Sequence, residues 1–248
     1  MKNTILSDFA TLRSRTNELD PTTTMKMLFH IVGLLIAMTA LPGIARAVPQ
    51  LLISDGTSTI TIIDGGLGDA NSAAGAVTWI GSIGVWTVNV DSGLTYPSFG
   101  TSDAPRMNLS FQDSSSGAGT LTLMFSEIGF TSPQGGWTNQ SIGGTTSGSV
   151  MYDIYGAASG PTRNIAFDTT RRLGTLGPLT GVFSVPEEAH NFILTSNPFS
   201  LTQVITITHA GAGVTSGSAI LRIPDAGTTA TLLGLSLLGL VAVRSRLA

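Results

Sequence analysis

Cysteine is absent from the 248 residues, which excludes a disulfide framework and any thiolate metal site. Lysine is almost as scarce: Lys2 and Lys26 are the only two, so none lies between Val48 and Leu221. In that stretch 11 acidic residues against 4 arginines leave a net charge of −7, compared with −3 for the whole chain. A lysine-free acidic body lacks the cations that neutralise phosphates, so nucleic acid is excluded as a partner. Helical patterning is missing too. No window between Val48 and Leu221 shows a 3.6-residue apolar period over helical length.

Both ends of the chain read as addresses. Lys26 precedes an apolar run from Met27 to Leu41, then come Pro42-Gly43 and Ala45-Arg46-Ala47. A basic start, a short apolar run, a breaker and small residues are the parts of a secretory signal, with cleavage expected after Ala47 and the secretion translocon as partner. An uncleaved anchor helix is the plainer alternative, but the run is short for it. Residues 1–24 are polar and fit no part of a signal, so Met1, Met25 and Met27 are all candidate starts.

At the other end, Arg222-Ile-Pro-Asp-Ala-Gly227 leads into Thr228–Val243, 16 residues without a charge, and then Arg244-Ser-Arg246. As a helix these would span about 24 Å at ~1.5 Å per residue, short for a ~30 Å bilayer core but sufficient with thinning and snorkelling arginines. Arg244 and Arg246 then form a basic stop on the cytoplasmic side. The bland reading is a buried C-terminal helix of a soluble domain. An apolar helix followed at once by a basic pair favours the membrane. Three segments are therefore expected: 1–47, extension and signal peptide; 48–221, the secreted body; 222–248, the tail.

The tail resembles the PEP-CTERM sorting signals, most closely their Val-Pro-Asp-Ser-Gly variant. The motif stands here as Ile223-Pro224-Asp225-Ala226-Gly227, with Ile for Val and Ala for Ser. The resemblance implies export, a transient inner-membrane anchor and processing by an exosortase. Such proteins are typically surface or extracellular-matrix proteins of Gram-negative bacteria that make exopolysaccharide, which makes exopolysaccharide a candidate partner. Leu52–Gly56, Thr59–Gly66 and Gly84–Val90 loosely resemble the secreted bodies found upstream of this signal, which implies a surface module and no known reaction.

The body alternates. Ser58–Ile63, Val85–Val90, Met107–Phe111 and Leu121–Phe125 each place apolar residues at every second position. Ala76–Ile80 and Val85–Val90 flank Gly81–Gly84 as a hairpin. Gly135–Ser149, rich in Gly, Ser and Thr, reads as a connector containing Trp137. Further strands are expected at Val150–Tyr155, Asn164–Phe167, Thr180–Val185, Phe192–Thr195, Val204–Thr208 and Ser218–Ile223. Ten or more short strands, each with one face to bury, predict an all-β antiparallel β-sandwich. A barrel is an alternative, and no fixed repeat supports a solenoid.

Catalytic patterns are hard to find. His190 and His209 are the body's two histidines, there is no Gly-x-Ser-x-Gly elbow, and both read as surface residues. Glu187 and Glu188 are adjacent, so on an extended chain they point apart and form no glycosidase pair. Asp64, Asp69 and Asn71 offer oxygens for Ca²⁺ without an EF-hand's spacing, and turn geometry explains them equally well. No catalytic residue, cofactor or metal site is therefore expected. Trp137, a large ring in a polar stretch, is the candidate glycan contact, although loop aromatics also fold back onto sandwiches. The reading that follows is an exosortase-processed structural protein of the surface or matrix and not an enzyme. A carbohydrate-binding module is the alternative, and a secreted hydrolase a third.

Overall fold

The computed structural model describes residues 48–131, 136–156, 165–192 and 198–224. The signal-peptide reading (Ala45, Ala47), motif residues Asp225, Ala226 and Gly227, the apolar helix and its Arg244 and Arg246 stop all lie outside these residues. Among the described residues no helix is long and apolar enough to cross a membrane.

The described residues are all-β, as expected, with ten antiparallel strands: β1 Gln50–Ser54, β2 Thr59–Ile63, β3 Ala76–Ile83, β4 Trp86–Leu94, β5 Arg106–Ser115, β6 Gly119–Phe130, β7 Gly136–Gly156, β8 Arg172–Phe192, β9 Phe199–His209 and β10 Gly213–Arg222. They form one hydrogen-bonded sheet in the order β2-β1-β6-β9-β7-β10-β5-β4-β3, with β8 on the outer edge of β7. The first half of β7 pairs with β10 and the second half with β9, both on the edge opposite β8. One arm of the sheet therefore hangs from each half of β7.

The arms face each other. A Cβ on Gly93 of β4 would lie 2.7 Å from the Phe125 ring of β6, and Trp86 of β4 sits against His209 of β9 with ring centroids 4.8 Å apart. Inward residues of both arms, among them Leu51, Leu123, Phe125, Ile205, Val88, Leu109, Phe111 and Leu221, share one core. Burying that many apolar side chains at ~1.5–3 kcal/mol each is what closes the arms together.

Three details depart from the sequence reading. Gly135–Ser149 is no connector, because Gly136–Ser149 is the first half of β7. Its glycines allow close crossing: a Cβ at Gly144 would strike Ser216, and one at Gly148 would strike Thr208. The β3–β4 turn is tighter than expected, with only Gly84 and Val85 between the strands and Gly84 at φ 56°. Gly81 stays within β3 because the Trp79 ring lies where its Cβ would be. Ile165–Phe167 forms a turn instead of a strand, and Phe167 takes φ 60°.

Candidate functional site

Thr215, Ala219 and Leu221 of β10 point inward, and Ile223 continues that row one step past the strand. It is 4 % exposed and belongs to the core, and its N–H donates to the Pro105 carbonyl at 2.9 Å. Pro224 is exposed. The described chain therefore passes from core to surface between the first and second residues of Ile223–Gly227.

A row of polar residues faces outward at this exit. Asn139 of β7, Arg222 of β10 and Arg106 of β5 are directly opposite one another across three strands. Glu187 of β8 takes two hydrogen bonds from the Arg222 guanidinium. Partial desolvation works against its ionisation, but hydrogen bonds from Arg222 and Asn139 outweigh this and hold its carboxyl below the usual range. Arg106 lies 5.6 Å over the Phe99 ring, and no carboxylate among the described residues pairs with it. Phe99, Arg106, Ser141, Glu187, Ile220 and Arg222 line a crevice of about 250 Å³. Trp137 is 57 % exposed and precedes Asn139 and Ser141 on the outward side of β7. It stands on a strand and is not tucked onto the core. Glu187 and Glu188 are also on a strand, β8, where Glu187 is the ion-paired member.

The opposite end holds a buried polar chain that the sequence reading missed. His209 is 2 % exposed, not a surface residue. Its Nδ1 is 2.7 Å from Ser115 Oγ and its Nε2 is 2.8 Å from Thr215 Oγ1. Thr215 Oγ1 is 2.6 Å from Thr146 Oγ1, which accepts from the Gly148 N–H, and Ser115 Oγ reaches the Gly211 carbonyl at 3.2 Å. One proton arrangement uses every contact: Gly148 N–H to Thr146, Thr146 O–H to Thr215, Thr215 O–H to Nε2, Nδ1–H to Ser115, and Ser115 O–H to Gly211. With the proton on Nε2 instead, Thr215 can still accept from Thr146, but one Thr hydroxyl hydrogen is left without an acceptor and Ser115 turns from Gly211 to Nδ1. In the first arrangement Ser115 accepts from His209 Nδ1–H, and in the second it donates to Nδ1; the tautomer decides which. Burial also lowers the His209 pKa, favouring the neutral ring that this chain requires.

Glu127 is the second missed group. It is fully buried at the exit end of β6, Oε2 accepts from Thr95 Oγ1, and Oε1 has no partner among the described residues. Burial pushes its pKa up to about 8; the Thr95 bond opposes this and the charge of Asp64 adds to it.

The calcium candidate resolves into turn chemistry. Asp69 accepts backbone N–H groups of Gly65, Asn71 and Thr78, Asn71 accepts from Ala73, and Asp64 accepts from Gly75. No cluster of three His, Asp or Glu side chains occurs among the described residues.

A chain that leaves its folded body at a Pro-Asp motif and continues into an apolar run and a basic stop has the layout of a C-terminal sorting signal of the PEP-CTERM type. Residues 223–247 match the family model of the VPDSG-CTERM motif. Such a signal indicates an exported protein and implies a sorting-machinery partner. No curated protein matches the chain. Among solved structures, the enzymatically active domain of tailspike protein 4 from bacteriophage CBA120 is similar with TM-score 0.32 and 11 % identity over 57 % of this chain. This chain spans only 20 % of that tailspike chain. The K1 cleaved adhesin domain of Lys-gingipain from Porphyromonas gingivalis W83 gives TM-score 0.26 and 12 % identity, covering 61 % of this chain and 99 % of the adhesin domain. Neither likeness is close enough to carry an argument.

Proposed function

We propose that this chain is a structural protein of the cell surface or extracellular matrix of a Gram-negative bacterium, delivered by an exosortase. The signal peptide ends at Ala47, Thr228–Val243 anchors the protein transiently in the inner membrane, and Arg244 and Arg246 stop transfer. The delivered body is a sandwich whose two layers are halves of one sheet, and it displays a surface without performing a reaction. The observation that carries this is the tripartite tail, of which 223–247 match the sorting motif. Both His209 ring nitrogens face hydroxyls and neither faces a carboxylate among the described residues, so no orienting acid completes a triad around Ser115, which supports this reading.

Mass spectrometry of the protein recovered from its host, with both termini mapped, tests the reading. A species beginning at Val48 and ending within Ile223–Gly227 is expected. A steady-state species that keeps residues 228–248 in a strain with an intact sorting enzyme would overturn it.

A second reading, carbohydrate binding, is favoured by one observation: Trp137 is exposed on a rigid strand beside a polar row. Retention on extracellular polysaccharide should weaken on Trp137→Ala. If wild type and variant behave alike, Trp137 is not a glycan contact.

A further inference from the structure

We propose that the crevice between Phe99 and Glu187 binds a single carboxylate-bearing sugar residue, a uronate, within an acidic polysaccharide. Arg106 and Arg222 are directly opposite on adjacent strands, in a body that has few cations. Like charges facing across a ladder are destabilising, a cost that the Glu187 carboxylate and the Phe99 ring help to offset. Glu187 occupies the fork of Arg222 and leaves that of Arg106 open, which gives the crevice one net positive charge. One guanidinium fork matches one carboxylate in two parallel hydrogen bonds. A dianionic phosphate suits the crevice less well, because Glu187 would repel its second charge.

The remaining lining fits a sugar ring. Phe99 and Ile220 supply apolar surface, while Ser141 and Glu187 present a hydroxyl and a carboxylate to ring hydroxyls. About 250 Å³ is smaller than the ~300–1,000 Å³ of pockets that take drug-sized ligands, so one residue enters and the polymer continues outside. Trp137 lies two residues along β7 from Asn139, about 7 Å away on the same face, where a neighbouring sugar would stack. The choice of a polysaccharide as the source of the carboxylate rests on the matrix reading above; the charge arrangement does not.

Calorimetric titration of the full-length protein in detergent micelles with tetragalacturonate, cellotetraose and inorganic phosphate tests the proposal. Tetragalacturonate should bind and cellotetraose should not at the same concentration. Arg106→Gln should weaken the acidic ligand about tenfold or more, and Arg106→Lys, which keeps the charge and loses the fork, by less. Circular dichroism of both variants should match wild type. Three outcomes would overturn the assignment: equal binding by wild type and Arg106→Gln, cellotetraose binding as tightly as tetragalacturonate, or inorganic phosphate binding more tightly than either. A failure of the sorting reading appears in the mapped termini, which Arg106→Gln leaves unchanged, and a failure of this one appears in the titration.

Discussion

Strand β4 has one end in each of two unlike environments. At Trp86 it touches His209, whose ring bonds on both sides to hydroxyls that are themselves bonded onward. Just past Leu94, Thr95 meets Glu127, a carboxyl with one oxygen unpartnered and with Asp64 adding to its electrostatic burden. The tail leaves at this second end, beside the facing arginines and the crevice. The hydroxyls of the far end are thus bonded onward, although Trp86 Nε1 beside them has no partner among the described residues. The exit end holds a carboxyl with one oxygen unpartnered and a like-charge pair.

Substitutions at the two ends should separate them. The largest effect is expected from His209→Ala, which opens a cavity against Trp86 and removes the ring partner of the Ser115 and Thr215 hydroxyls: about 3–4 kcal/mol lost in urea unfolding. A loss below about 1 kcal/mol would show that the hydroxyl chain does not hold the far end. Ile223→Ala should follow at about 2–3 kcal/mol, because the first motif residue is a core residue. Ile223→Val should change little, and processing of the Val variant should equal wild type if the sorting enzyme reads from Pro224 onward.

Acid and alkali should act at opposite ends. Glu127, with its folded pKa near 8, keeps a proton that the unfolded carboxyl releases near 4.5, so its contribution falls as pH rises from about 4.5 through 8. His209 is lowered from 6.5, so the unfolded ring takes up a proton that the folded one refuses, and stability falls as pH drops below about 6.5. Above pH 6.5 Glu127 acts alone of these two. Glu127→Gln should therefore raise stability at pH 8 by about 1–2 kcal/mol and flatten the alkaline limb without moving the acid one. An unchanged alkaline limb would mean that Glu127 is ionised in the fold. The smallest effect is expected from Arg106→Gln: within about 0.5 kcal/mol of wild type, as relief of the like-charge pair is offset by loss of the Phe99 contact and of the attraction to Glu187. A clear loss would mean that Arg106 stabilises the fold.

Most of this was legible in alternation. Leu121, Leu123 and Phe125 assign the inward parity of β6, and Glu127 stands at the next inward position. Ile205 and Ile207 do the same for His209, and Leu109 and Phe111 for Asp113 and Ser115. The two-residue period places these polar groups inside; for His209, reading a polar residue as a surface residue by type overruled it. The facing of Arg106 and Arg222 was not legible, since cross-strand register depends on long-range pairing that one sequence does not display. The Gly/Ser/Thr stretch of β7 misled for a similar reason, because small residues serve close crossing as well as flexibility, and only the neighbouring strands distinguish the two.

Strand β10, which carries the tail, is not at an edge: it lies between β7 and β5, with eight register partners on one side and ten on the other. A pull on the C-terminus is directed along β10 and loads both ladders in shear, so their hydrogen bonds must fail together and cannot unzip one at a time. Were residues 228–243 to anchor the protein as proposed, the body would hang from an interior strand paired on both sides. Tension from a moving envelope or a stretched matrix would be borne by the fold, and detachment would have to come from cutting the chain beyond Ile223.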